Sequence, residues 1–460
     1  HVTANLTVAA GATLTIRPGT TVFFEPGTKL IVNGRLDAQG TELARIRFTR
    51  TPSAATDWAG MEFTYASYSP LVNTIAHADI EYADSGSQAI KTQDAQLVLD
   101  DILFANHSKQ YLSLDDSSIR LTNSVLPKIA GAEVIHYWGF PDGGYAVFDG
   151  NYFGGTTGSN DIIDFTGGQR PGNIAQFLNN VFASATDDCL DLDATDAHIE
   201  GNVFMHVHQD APRESLSHGV TTGTEGGVVS QITVVRNLFY DVDHAILIKD
   251  GGYGTIINNT IVHATCAAIN VYEARSGQWQ GDGVYVDGNI FYDVAAVFAN
   301  PDPAGHGLAL SVNHSVIYPA VESEPMAYGG VGNVIADPRL VNVTDVTDPW
   351  TDFRLRDGSP AIGLGPNGVD AGGVIPAGAS IAGAPDSPTT ADSVTLTVGG
   401  PDIYGYRYRL NGGTWSETRA AVRAVTSIVR TGDVATVALP GHGYADGDTV
   451  DIYGSSQQPY

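Results

Sequence analysis

A short β-like run followed by a polar residue, any residue and an apolar one recurs at Asp79, Asp101, Asn123, Asn151, Asn180, Asn202, Asn237, Asn259 and Asn289, in steps of 22, 22, 28, 29, 22, 35, 22 and 30 residues. A fixed minimum step with insertions added to it is what a solenoid needs, since each coil must bring its strands back into register about 4.8 Å above the one before. Leucine-rich repeats have similar periods, but their leucine spacing is missing, and propeller blades need longer, four-stranded units. The expectation is an all-β chain: a right-handed parallel β-helix (solenoid) followed by small β-sandwich-like modules. Asparagine at one coil position suits a ladder in which each side-chain amide bonds those of the coils above and below. Asn123, Asn151, Asn180, Asn202, Asn237, Asn259 and Asn289 are therefore read as structural.

The segment boundaries follow from composition. Residues 1–375 carry the β-and-turn rhythm, 376–391 read as a Gly/Pro-rich linker, 392–420 as a small β-module with a hairpin, and 421–460 as a second, truncated module. The start inside a strand-like pattern and the end at SSQQPY point to a piece of a longer multidomain chain. With 23 basic and 51 acidic side chains the formal charge is −28, which excludes a broad phosphate-binding surface and makes nucleic acid a poor partner. No apolar run reaches the roughly 18 residues of a membrane span. Acidity, scarce lysine and many Thr, Asn and Gly residues suit a secreted or surface-displayed bacterial protein. The two cysteines, Cys189 and Cys266, fall about three coils apart, or roughly 14 Å, beyond the reach of a disulfide, so both are expected as free thiols.

Aligning apolar positions stacks the central coils. Ile163, Leu190, Val220, Ile246 and Ile269 form one inward column, and Phe165, Leu192, Thr222, Ile248 and Val271 the next. Alternation then sends Asp164, Asp191, Thr221, Leu247 and Asn270 outward, with Thr166, Asp193, Gly223, Lys249 and Tyr272 in a second outward column. Asp187, Asp188, Asp191 and Asp193, with Asp164 one coil below, share one patch. Carboxylates this close repel, and a hard divalent cation such as Ca²⁺, which takes six to eight oxygens, would offset that. The alternative reading is turn caps and solvated acids. His206, His208 and Asp210 form an H-x-H arrangement whose spacing alone is weak evidence for a transition metal.

Asp164 followed by Asp187-Asp188-x-x-Asp191 resembles the calcium site of one family of β-helical pectate lyases. The resemblance implies Ca²⁺ on Asp164, Asp187, Asp188 and Asp191, with a lysine as base. Lys249, the only lysine after Lys128, stands two coils above Asp193, though its spacing from Asp191 is longer than in that family. A second resemblance, to polygalacturonases, runs over Asn160-Asp161, Asp187-Asp188, His218-Gly219 and Lys249. Here the first motif lacks its middle residue and Leu247 stands where that family has arginine. A third and broader one, from TDDCLDLDATDAHIEGNVF through AILIKDGG, is to β-helix regions of large bacterial surface proteins, and implies fold only.

The expected function is a secreted polysaccharide-active protein, most concretely a Ca²⁺-dependent lyase cleaving a uronate-containing glycan by β-elimination. In that scheme Lys249, Arg213 and His218 are catalytic, and Tyr272, Glu273, Arg275, Asp193 and Asp161 bind substrate. Two other readings stay open: a non-catalytic surface or adhesin-type β-helix with structural calcium, and an inverting hydrolase using Asp161, Asp187 and Asp188.

Overall fold

The computed structural model describes residues 1–211, 216–272, 279–300, 309–321, 330–344, 346 and 352–373, and six strands between Ser380 and Ala438. The chain divides into two compact units, His1–Gly373 and Val374–Tyr460. The first is a parallel β-helix whose strands each pair with strands of the coils below and above. Three faces make up a central coil. One coil runs Ala175–Leu178, Val181–Phe182 and Asp188–Asp193, and the next Ala197–Glu200, Val203–Val207 and His218–Glu225, all pairing in parallel.

The sequence produces the sharp corner between the first two faces with two adjacent residues. The first takes a left-handed backbone, as at Asn123, Asn179, Arg236 and Asn258 (φ 50°, 53°, 52° and 52°) and at Gly150, Gly201 and Gly288. Glycine and asparagine tolerate that region best. The second residue turns inward and forms the ladder. The Nδ2 of Asn151, Asn180, Asn202, Asn237 and Asn259 donates to the Oδ1 of the next coil's asparagine at 2.9 to 3.0 Å, ending on Asn289. Serine hydroxyls continue the series at both ends: Ser124 N donates to Asn151 Oδ1, and Asn289 N to Ser315 Oγ.

Two expectations are corrected at this corner. Asn123 is not in the ladder; it is the exposed left-handed residue, and Ser124 takes the ladder position. Likewise Asp79 pairs with Leu103, not Asp101, so the earliest repeats were aligned out of register. A polar residue before a short apolar strand can be either member of the two-residue corner, and a preceding Asn or Gly marks the ladder residue at every coil of the asparagine run except Asn237, which follows Arg236.

The inward column Ile163, Leu190, Val220, Ile246 and Ile269 is in the expected register and fully buried. Beside the ladder Phe153, Phe182, Phe204 and Phe239 stack ring on ring, with centroids 4.9, 4.8 and 4.6 Å apart. One expectation about exposure fails: Thr221 and Leu247 have the outward register but are fully buried. The outer surface is built over here, and at its upper end Trp279–Asp282 lies against it, bonded to Asp250, Gly251 and Gly252.

The segment that follows the last coil lies along the flank of the β-helix. Ala361 and Ala371 pack on Ile290 and Val316, and Gly373 N donates to Thr260 Oγ1 at 3.0 Å. In the second unit Ser380–Ala382, Ser393–Gly399, Ser427–Thr431 and Val434–Ala438 form an antiparallel sheet, and Gly405–Tyr406 pairs with Arg419–Ala420. Both cysteines are free thiols. Among the described residues, no helix is long and apolar enough to cross a membrane.

Candidate active site

The acidic motif TDDCLDLD enters the third face at the corner where the strand Asp188–Asp193 begins. Parallel pairing places Asp188, His218, His244 and Ala267 one above another at this corner, and Asp164, Asp191, Thr221 and Leu247 in the neighbouring outward column. Trp138, Thr166, Asp193 and Gly223 form the next outward column.

Asp161, Asp187 and Asp188 bring carboxylate oxygens within 4.8 Å of one another. Asp188 N donates to Asp161 Oδ1 at 2.9 Å. His218 donates to Asp188 Oδ1 twice, from its backbone N at 3.1 Å and from Nδ1 at 2.8 Å. The His218 ring stacks on His244 at 5.3 Å with 9° between planes. Burial, reinforced by His218, pushes His244 down to about 3, so this imidazole is neutral and its Nδ1–H donates to Ala267 O. His218 Nε2 and Asp191 Oδ1 are shielded from solvent without a hydrogen-bond partner among the described residues.

The environments of the acids diverge. Burial would raise Asp188, but the charge and hydrogen bond of His218 and the Lys249 ammonium overcome it and hold this carboxyl below its ordinary range. Asp161 goes the other way: burial and the charges of Asp191, Asp188 and Asp187 push it well up. Asp191 is also pushed well up, by burial together with Asp188, Asp193 and Asp164 and against Lys249. Asp193 rises to about 6, through burial and the charges of Asp164, Asp250 and Glu225, again against Lys249. Lys249 is almost buried, and its backbone is fixed by Thr222, whose Oγ1 accepts from Lys249 N at 2.9 Å.

The expected calcium set is therefore divided. Asp187 and Asp188 cluster with Asp161, which sequence reasoning had assigned to substrate, whereas Asp164 is drawn to His136, whose Nδ1 lies 3.2 Å from it and 3.1 Å from Glu133. Three carboxylates fit a hard cation in donor chemistry. One oxygen each of Asp161 and Asp188 is already an acceptor of N–H groups. Tyr272 N donates to Asn270 Oδ1, and Tyr272 flanks the upper end of the face. Arg213, Glu273 and Arg275 lie outside the described residues. His206 and His208 are ion-paired instead, His206 with Asp241 at 2.7 Å and His208 with Asp241 at 3.1 Å and Asp243 at 2.8 Å, and Asp210 accepts from Gly158 N.

Sequence reasoning missed His136, Glu133, His244 and Trp138. Trp138 is 49% exposed in the Asp193 column, and Trp279, beside Asp250, is 52% exposed. An apolar aromatic left on the outside of a solenoid strand, at a position that otherwise carries polar residues, was the available signal.

His136 gives a pH prediction. Its hydrogen bonds to Asp164 and Glu133 raise it to about 10, above the roughly 6.5 of an unfolded histidine. A pKa raised on folding contributes stability that is complete below the unfolded value and lost as pH rises through the folded one. The melting temperature should therefore fall between about pH 6.5 and about pH 10, and His136→Gln should flatten that decline in a thermal scan across the range.

No family model matches the chain, and no curated protein matches it. Among solved structures the chain is similar to bacteriophage CBA120 tailspike protein 3 (12% identity, 70% of this chain and 56% of that one, TM-score 0.36). It is also similar to pectate lyase Pel9A (13%, 79% and 86%, TM-score 0.37) and to an alginate lyase from Paenibacillus sp. str. FPU-7 (13%, 67% and 96%, TM-score 0.22). The chain thus spans little more than half the length of the tailspike.

Proposed function

We propose that the Asp161–Asp187–Asp188 corner is the acid–base centre of a polysaccharide-cleaving protein and that it works by hydrolysis. The observation that carries this reading is the opposite displacement of two neighbouring carboxyls: burial and the acidic neighbours favour the protonated form of Asp161, while His218 and Lys249 favour the ionised form of Asp188. Paired groups whose environments separate their pKa values are the pattern of a proton donor and a proton acceptor. In the reaction Asp161 gives its proton to the glycosidic oxygen as the bond to the anomeric carbon breaks. A water adds to that carbon and loses its proton to Asp188, and exchange with solvent returns both carboxyls to their starting states. His218 keeps Asp188 ionised and oriented. A polymeric sugar suits the outer face below the covered Thr221 and Leu247 positions, where Trp138 offers an exposed ring on which a pyranose face can pack, with Trp279 exposed at the upper end.

A second reading is favoured by the carboxylate oxygens within 4.8 Å of one another. Asp161, Asp187 and Asp188 would hold Ca²⁺, which when bound would acidify the proton beside a uronate carboxylate. Lys249 would take that proton, and the glycosidic oxygen would leave.

One assay separates the two. Glycans are incubated with the protein, with and without chelator, and scored for new reducing ends and for unsaturated products. Hydrolysis predicts saturated reducing ends that persist under chelation and vanish in Asp161→Asn. Unsaturated products that disappear with chelator and with Lys249→Ala would establish the lyase instead, and an absence of any cleavage would leave the display reading.

A further inference from the structure

The third face is strongly acidic beyond the catalytic corner. Asp191 and Asp193 are one and two coils above residues of the same columns, Asp164 and Trp138 respectively. Asp250 and Glu225 are near enough to raise Asp193, and the described cations nearest these acids, Lys249 and His136, do not balance their charges. The surrounding chain, at −28 overall, adds to the negative field.

We propose that this face binds a glycan bearing free amino groups, a 2-amino-2-deoxy sugar whose ammonium is taken by Asp191 and Asp193 with Asp164 below, while a neighbouring ring packs on Trp138. The inference rests on the polysaccharide reading of the site. Two observations besides the acids point to a ligand. Asp191 Oδ1 is shielded from water without a hydrogen-bond partner among the described residues, an acceptor that a bound N–H donor would satisfy. Trp138 is an exposed platform within the same column as Asp193, about 10 Å away at two strand spacings, the reach of neighbouring sugar units. A uronate here would add a further carboxylate to acids already crowded on neighbouring columns, whereas an ammonium would relieve their mutual repulsion.

The test is calorimetric titration of the full chain with partially deacetylated chitosan oligosaccharides, their fully N-acetylated counterparts and oligogalacturonates, alongside the cleavage assay. Binding of the deacetylated oligosaccharide should be at least about tenfold tighter than that of the acetylated one, with the gap closing as salt screens the charges. Asp193→Asn should close the same gap at low salt while leaving the melting temperature unchanged, and the surface substitution Trp138→Ala should weaken both ligands. Equal binding of the two chitosan forms, tighter binding of oligogalacturonate, or no binding of any of the three overturns the proposal. Amine-selective binding without cleavage would sink the hydrolase reading and keep this one; cleavage without amine selectivity would do the reverse.

Discussion

Asp188→Asn should lower glycan cleavage by about 10²–10⁴-fold, the usual worth of a positioned general base, with little change in substrate affinity. The neutral amide cannot accept the proton of the attacking water, yet it has nearly the volume of the carboxylate and can still accept from His218. Asp161→Asn should produce a loss of the same order by removing the donated proton. The two are told apart by pH. Asp188, held below the ordinary carboxylate range by His218 and Lys249, must be ionised, so activity is lost as pH falls through its pKa. Asp161, raised by burial and its acidic neighbours, must be protonated, so activity is lost as pH rises through its pKa. The result is a bell whose limbs belong to the coupled pair. His218→Gln removes a charge that stabilises ionised Asp188, and should move the acid limb toward higher pH while leaving the protein folded. An unchanged acid limb in that variant would remove His218 from its positioning role.

The coil period and the inward columns were legible because burial forces them: a one-residue slip would carry Ile163, Leu190, Val220 and Ile246 to the outside. The site was half legible. Strand register places Asp164 against Asp191, as expected, but register alone does not say which carboxylates turn toward one another. What register cannot show is the direction each side chain takes at a corner. Asp161 and Asp188 lie where the strand begins, and the turn folds them together; Asp164, a few residues on, meets His136 from the coil below. His136 escaped notice because HYW carries no motif, and its significance comes only from the carboxylates at 3.1 and 3.2 Å. The buried face over Thr221 and Leu247 was hidden for a similar reason, since alternation says which way a residue points and nothing about what covers it.

Asn202→Ala should cost about 3–5 kcal/mol of unfolding free energy, measured by chemical denaturation, which is large for a change that removes only a carboxamide. The Asn202 Oδ1 accepts from Asn180 N and Asn180 Nδ2, both at 2.9 Å, and its Nδ2 donates to Phe177 O at 2.8 Å and Asn237 Oδ1 at 2.9 Å. Alanine leaves Asn180 N inside a fully buried corner without the Oδ1 it donates to, at a cost of about 1–3 kcal/mol, and removes the other side-chain bonds at about 1 kcal/mol each. Asn202→Ser should recover part of the loss, because Ser124 fills the same position natively, its Oγ accepting from Ile102 N and donating to Thr122 O. By contrast Asn123→Ala should cost only about 1 kcal/mol, from a left-handed backbone that alanine tolerates poorly and one exposed bond to Asp100. Only the preceding residue, Gly201 against Thr122, distinguishes these two asparagines in the repeat, so equal losses would mean that the ladder contributes no more than the turn that precedes it.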